Sequence, residues 1–360
     1  MASIIIADDT KFYDGSYLET QPIGGTESSI IRFARAMVRR GHNVSVYTNC
    51  AVPISDGGVD WIPLSHPRPE TCDVYVACQH PRLFGLVPRP QRLVGWMLWQ
   101  PNEWVHYKKF LKVWWHRPIP LFTSLHQVRI YSRLLPGRVP HIVIPLGLPE
   151  DIRGLAPLRT PPGPQAIFAS NPQRNLNALV QIWCQHILPR CPNAVLNVYG
   201  ITELAPGDDA WKMWEGTLLP VGISQTEKMS VRIHATASRA ELNKALRGAR
   251  VMLYLGHKVE AFCLAAAEAQ ALGVPAVVAP LTVLPERVED GVTGFVRDNP
   301  IEFANAAVAL LSDDVLWRSQ HEAALKLKRG ISWDEFAARF ECAILSDRIG
   351  TNRSWNESVV

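Results

Sequence analysis

The sequence predicts two doubly wound α/β domains, and three observations carry that prediction. The chain has 360 residues, 47% of them hydrophobic and 19% charged, which is enough apolar material for two cores of ordinary size. Short apolar runs bounded by Pro, Gly or polar clusters alternate with helix-period segments along the chain. The alternation also starts afresh after a Pro- and Gly-rich segment at 151–163. The expected division is therefore 1–150, 151–330 and a terminal helical segment at 331–360.

The first half opens with a strand at 3–7 built on Ile4, Ile5 and Ile6. Gly24 and Gly25 precede a helix at 28–40, where Ile30, Ile31, Ala34, Met37 and Val38 recur at helical spacing and Thr26 can cap the start. A strand at 43–48 completes a β-loop-α-β opening. Further buried strands are expected at 73–77, 93–98, 119–123 and 141–144. His80 falls just past the run 73–77, where parallel sheets present side chains to ligands. Gln100 and Asn102 follow the run 93–98 in the same way.

Between these strands the segment 104–117, from Trp104 to Arg117, is both aromatic and basic. Trp104, Tyr107 or Lys108, Leu111 and Trp114 or Trp115 fall on one helical side, with Lys108, Lys109 and Lys112 nearby. Such a helix could lie on a bilayer as a peripheral contact. The competing reading places the tryptophans in the core or along a sugar-binding cleft, and the modest number of charges favours it.

The second half restarts with a strand at 166–169, a turn at 170–175 containing Arg174, a helix to about 188 and a strand at 194–199. Arg174 opens a helix, where the dipole disfavours a cation unless an anion is also bound. Asp208 and Asp209 sit in a Pro-Gly context with no His or Glu cluster, so they read as solvated rather than as a metal site. A strand at 231–234 and a helix at 240–246 follow.

The decisive stretch begins after the apolar run 251–255. A short polar turn leads into a small-residue helix that carries two carboxylates, Glu260 and Glu268, and Gly273-Val274-Pro275 stops it before another apolar strand. Eight residues apart on a helix, the two acids are expected to stand roughly 12 Å apart along its axis and about 80° apart around it. That separation suits the two ends of one long ligand better than the carboxylate pair of a glycoside hydrolase, which is about 5 to 9.5 Å apart. The amides of Ala261, Phe262, Cys263 and Leu264 at the helix start would face a phosphate. A buried Glu in such apolar surroundings needs a partner.

These residues resemble the E-x7-E signature of the retaining glycosyltransferases of family 4. Leu284-Pro285-Glu286 and Glu289-Asp290-Gly291-Val292-Thr293-Gly294-Phe295 are similar to that family's downstream segment. The resemblance implies a GT-B fold and transfer of a sugar from a UDP- or GDP-linked donor to a glycan, glycolipid or small-molecule hydroxyl. It assigns Glu260 to the donor sugar and Glu268 to the ribose, with the backbone at Phe262 to Leu264 near sugar and diphosphate. Arg174 would meet the diphosphate, His80 the transferred sugar, and Arg232 and His234 the base side. Gly24 and Gly25 would approach phosphate or acceptor, and Thr282 would offer a second anion contact. No metal or cofactor is implied, the final helix is expected to return to the first domain, and Ala261, Cys263 and Ala235 stand where the family more often has glycine.

Seven scattered cysteines without a C-x-x-C read as reduced thiols. The net charge of +4 permits an anionic ligand without calling for nucleic acid. The N-terminus is too short and too acidic for a signal peptide, and no run of about 20 apolar residues occurs, so a cytoplasmic location is expected. The rival readings are a dinucleotide-dependent oxidoreductase, which the missing G-x-G-x-x-G after the first strand opposes, a sugar-nucleotide epimerase, and an inactive sugar-nucleotide-binding subunit.

Overall fold

The computed structural model describes residues 1–21, 23–136, 141–200 and 209–345. The chain divides into two units, Met1–Gly147 with the segment from Ile331, and Leu148–Gly330. The division falls at Gly147 and Leu148 rather than at 150, and the Pro- and Gly-rich segment belongs to the second unit.

Strands of the first unit are β1 (Ser3–Ala7), β2 (Asn43–Thr48), β3 (Ile54–Asp56), β4 (Val59–Pro63), β5 (Thr71–Cys78), β6 (Arg89–Met97), β7 (Ile119–Phe122) and β8 (Ile142–Val143). They lie in the order β3-β4-β2-β1-β5-β6-β7-β8. Every pairing is parallel except the β3–β4 hairpin at one edge. Parallel strands are covered on both faces, which is why Ile4, Ile5 and Ile6, and Val74 through Cys78, are buried without alternation.

The helix Gly25–Arg39 covers one face of this sheet, and the last helix, Trp333–Leu345, packs on it. Phe33 meets Phe336 and Phe340 edge-on at 5.3 and 4.9 Å between ring centres, and Trp96 at 5.2 Å. Arg39 pairs with Asp334 at 2.6 Å, and Arg40 with Glu341, so polar contacts frame the aromatic seam.

The second unit holds β9 (Gln165–Ala169), β10 (Val195–Tyr199), β11 (Val231–Ile233), β12 (Val251–Tyr254), β13 (Ala276–Val278) and β14 (Gly294–Val296), all parallel, in the order β11-β10-β9-β12-β13-β14. The chain runs outward from β9 through β10 to β11, then returns to the other side of β9 as β12. Neighbouring loops at such a reversal leave opposite faces of the sheet and open a crevice at the carboxyl ends of the strands. Here the reversal lies between β9 and β12; in the first unit it lies between β1 and β5.

Three expectations need correction. The acidic stretch is not one helix, because the helix spans Leu264–Ala271 and Glu260 lies in the turn before it. Cys263 takes a left-handed conformation (φ 59°) at the N-cap, and that residue separates turn from helix. The helix spacing estimated for the two acids therefore does not apply. Likewise the first-unit helix begins at Gly25 with Gly24 as its cap, so Thr26 lies inside the first turn. The expected helix to about 188 is α-helical over Leu176–Ile182 and continues as a wider π-turn over Trp183–Ile187.

Candidate functional site

The β9/β12 reversal gathers the residues the sequence singles out in the second half. Arg174 follows β9, in the turn that leads to the helix Leu176–Ile182, and Glu260 follows β12. Arg174 donates from Nη1 to Glu260 Oε1 at 2.6 Å. The Tyr254 hydroxyl donates to the same oxygen and accepts from Ser170 Oγ at 3.3 Å. Asn175 Nδ2 donates to the Gly256 carbonyl at 2.7 Å, tying the two loops through the backbone as well.

Gly256 has φ 75°, and a Cβ there would meet Leu284 Cδ1 at 2.5 Å, so only glycine permits this turn. Glu260 is only 4% exposed. Burial works against the Arg174 charge, but Glu260 and Tyr254 outweigh it and hold the Arg174 pKa up.

The helix Leu264–Ala271 starts beside this pair. Its first amides have no partner within the helix. Ala261, Phe262 and Cys263 are buried, while Leu264 and Ala265 are partly open. Burial and the Glu260 charge push the Cys263 thiol well above its usual pKa, so it is a protonated packing group and a poor nucleophile.

Glu268, four residues into the helix and 3% exposed, receives Arg239. Arg239 opens the helix Arg239–Arg247, whose start is fixed by the reciprocal Ser238–Glu241 capping box. Glu260 and Glu268 therefore each have an arginine partner, Arg174 from the turn after β9 and Arg239 from the start of the helix Arg239–Arg247.

Other candidates flank this centre. Thr282 takes φ 51°, and its buried Oγ1 has no hydrogen-bond partner among the described residues. Arg287 lies over the Phe262 ring at 4.4 Å and pairs with Glu286 at 3.5 Å, and burial lowers its pKa. His234 follows β11, bonds Asn197 Oδ1 through Nε2 at 2.9 Å and stacks on Tyr199 with ring centres 4.3 Å apart. Burial, then the Arg232 charge, lowers the His234 pKa, so the ring is neutral at pH 7. Arg232 is exposed in β11.

In the first unit the β1/β5 reversal carries Asp8 and Asp9 on one side and His80 on the other. His80 Nδ1 bonds Asp9 Oδ1, and Arg82 pairs with the other Asp9 oxygen. Burial opposes the Asp9 charge, yet these two donors hold its pKa down. The glycine pair has an acidic neighbour. A Cβ on Gly24 would meet Glu27 Oε2 at 2.3 Å, so the buried Glu27 carboxylate sits over the start of its own helix, 3.6 Å from Lys11 Nζ. Glu27 is in the first turn, where an acid is favoured. That anion opposes a phosphate on Gly24 and Gly25.

Gln100 is buried, and Asp209 caps the helix Ala210–Trp214 by accepting from Trp211 N and Lys212 N. Asp208, the tail from Gly350 and the Asn102 side chain lie outside the described residues. No cluster of three or more metal-ligating side chains occurs among the described residues.

Residues 164–313 match the family model described as "Glycosyl transferases group 1". Over 94% of this chain and 97% of the other, the structure is similar to sucrose-phosphate synthase from Thermosynechococcus elongatus, with a TM-score of 0.71 at 13% identity. The fold is GT-B. Anabaena HepE in complex with UDP-glucose is similar at a TM-score of 0.68 and 15% identity, over 94% of this chain and 98% of that one. WaaG, a glycosyltransferase involved in lipopolysaccharide biosynthesis, is similar at 0.65 and 14% identity, over 95% and 99%.

In sequence, the D-inositol 3-phosphate glycosyltransferase of Thermobifida fusca is 36% identical over 107 residues, which is 29% of this chain and 24% of that protein. Its counterpart from Xylanimonas cellulosilytica is 37% identical over 110 residues, or 30% and 26%. The matched region thus spans about a quarter of those relatives.

Arg239, Arg287, Tyr254 and Asn175 were not anticipated. The argument that marked Arg174, a cation at a helix start, applies equally to Arg239 and would have found it. Replacing Arg239 by Ala strands a buried carboxylate. It is expected to cost on the order of 1–3 kcal/mol in urea unfolding, and Arg239→Ala with Glu268→Ala should recover part of that loss.

Asp8 gives a pH test. It is fully buried, and burial raises its pKa to about 6 against hydrogen bonds from Thr10 and Tyr13, with Glu27 and Asp9 adding to the rise. Between its ordinary 3.8 and about 6 the folded state binds the extra proton, so stability falls as pH rises through that window. Asp8→Asn removes the penalty. It should stabilise the protein at pH 7.5 by up to about 3 kcal/mol, and the gain should vanish below pH of about 4, as followed by thermal melts across pH.

Proposed function

We propose that the protein transfers a sugar from a UDP- or GDP-linked donor to a hydroxyl of a glycan, glycolipid or small-molecule acceptor, with retention at the anomeric carbon. The observation that carries this reading is the Arg174–Glu260 pair at the β9/β12 reversal, beside the amide-rich start of the helix that carries Glu268. The family-model match over this unit supports it, and the Anabaena protein solved with UDP-glucose makes a uridine donor the first to try.

In this reading the guanidinium of Arg174 reaches the diphosphate while still holding Glu260, since its five N–H donors serve more than one acceptor. Glu260 then accepts from sugar hydroxyls, and Glu268 from the ribose. Glu260 shares one oxygen with two donors, which blunts its nucleophilicity and favours a binding role over a covalent one. Charge developing on the departing diphosphate is met by Arg174 and by helix-start amides, a preorganised electrostatic stabilisation that requires no metal. The bond from anomeric carbon to phosphate oxygen breaks, the acceptor oxygen bonds to the same face, and the leaving phosphate takes the acceptor proton. His80, whose ring is oriented by Asp9, is proposed to serve the transferred sugar.

A thermal-shift screen of nucleotide sugars, with NAD as the counter-ligand, tests the donor class, because a ligand that binds only the native state raises apparent stability. A nucleotide sugar should raise the melting temperature and NAD should not. Glu268→Ala should weaken donor binding about tenfold or more and Glu260→Ala should depress turnover by about a hundredfold. Unimpaired transfer by both variants, or a response to NAD alone, would reject the reading. Proton NMR of the product should show the donor's anomeric configuration kept, and transfer should persist in EDTA.

A further inference from the structure

The Trp-rich segment divides in two. Trp96 and Trp104 are buried, and Trp104 Nε1 donates to the Gln79 carbonyl at 2.7 Å, as core residues do. The helix Tyr107–His116 behaves differently. Leu111 is 52% exposed and Trp115 84% exposed, one turn apart on one side of the helix, with the exposed Lys108 and Lys112 between and before them.

Trp114 is partly exposed, and its Nε1 donates to the Leu134 carbonyl at 2.9 Å, which brings the 134 segment against this helix; Leu134 itself is 70% exposed. The Arg117 guanidinium lies 6.0 Å from the Trp114 ring. Single exposed apolar residues are ordinary, but a group of large ones on adjoining segments marks a contact surface.

Charge says what the contact is. Residues 104–149 contain seven Lys and Arg and no Asp or Glu, whereas the whole chain has 37 basic and 33 acidic residues, so everything outside this stretch is net acidic. The protein's excess positive charge thus lies in the stretch that exposes Trp114 and Trp115. Indole rings prefer the interfacial zone of a bilayer, and Lys and Arg beside them are drawn to anionic headgroups. No helix among the described residues is long and apolar enough to cross a membrane, so this would be a surface contact.

We infer that the outward face of helix Tyr107–His116, with Leu134 beside it, docks the protein on an anionic lipid bilayer. This goes beyond the transfer reading and depends on none of its residues.

Flotation of the full chain with phosphatidylcholine vesicles and with vesicles that also contain phosphatidylglycerol tests the inference. The wild type should float with the anionic vesicles and far less with the neutral ones. Lys108→Gln with Lys112→Gln should weaken that binding roughly thirtyfold, and raised salt should act in the same direction. Leu111→Gln with Trp115→Gln should weaken it roughly tenfold or more while the donor-induced thermal shift stays unchanged. A wild type that stays free of both vesicles would overturn the inference. So would apolar variants that bind as well as the wild type, since adsorption would then be charge alone. A dimer that forms in solution and is lost with Trp115, without vesicle binding, would also overturn it.

Discussion

The second unit depends on one electrostatic constraint, the need of a buried carboxylate for a cation. Glu260 is nearly inaccessible, and leaving it unpaired would cost far more than its loop could recover. Its partner comes from across the strand reversal, so the turn after β9 and the turn after β12 are fixed relative to each other by Arg174, Tyr254 and Asn175 together. Gly256 makes room for that arrangement by letting Leu284 pack where a side chain would stand. Glu268 repeats the same logic one helical segment later with Arg239.

The two reversals differ in sign. At β9/β12 the unit assembles Arg174 and Arg239, with Arg287 nearby, around two acids and a helix start. Near β1/β5 the first unit holds three acids, Asp8, Asp9 and Glu27, with His80 and Arg82 on Asp9 and Lys11 by Glu27. The anionic part of a donor therefore suits the second unit, whereas the first presents acceptor-rich side chains of the kind that bind hydroxyls. Burial of Asp8 next to Glu27 is an electrostatic cost that the tertiary packing sustains, and sites of function are often held at such expense.

Much of the fold was legible because parallel strands buried on both faces leave unbroken apolar runs. β1 and β2 lie at the expected residues. The hairpin of β3 and β4 was missed although Gly57 and Gly58, both at positive φ, mark its turn. β14 is only three residues and overlaps the end of the motif that resembled the family segment. The start of the Leu264 helix could not be read, since a cysteine in a left-handed conformation carries no sequence signal of a break. Candidate residues around Glu260 were legible as types, but their pairing was not. Arg174 and Glu260 are joined by strand order, a property of the sheet rather than of either segment.

We propose that this arginine-bound pair of acids holds the nucleotide sugar. A crystal structure with the nucleotide sugar that most raises the melting temperature tests it most directly. The account predicts the diphosphate on Arg174 and the start of the Leu264 helix, with the sugar at Glu260 and the ribose hydroxyls at Glu268. Ligand density away from the β9/β12 reversal, with the Arg174–Glu260 and Arg239–Glu268 pairs untouched, would contradict it.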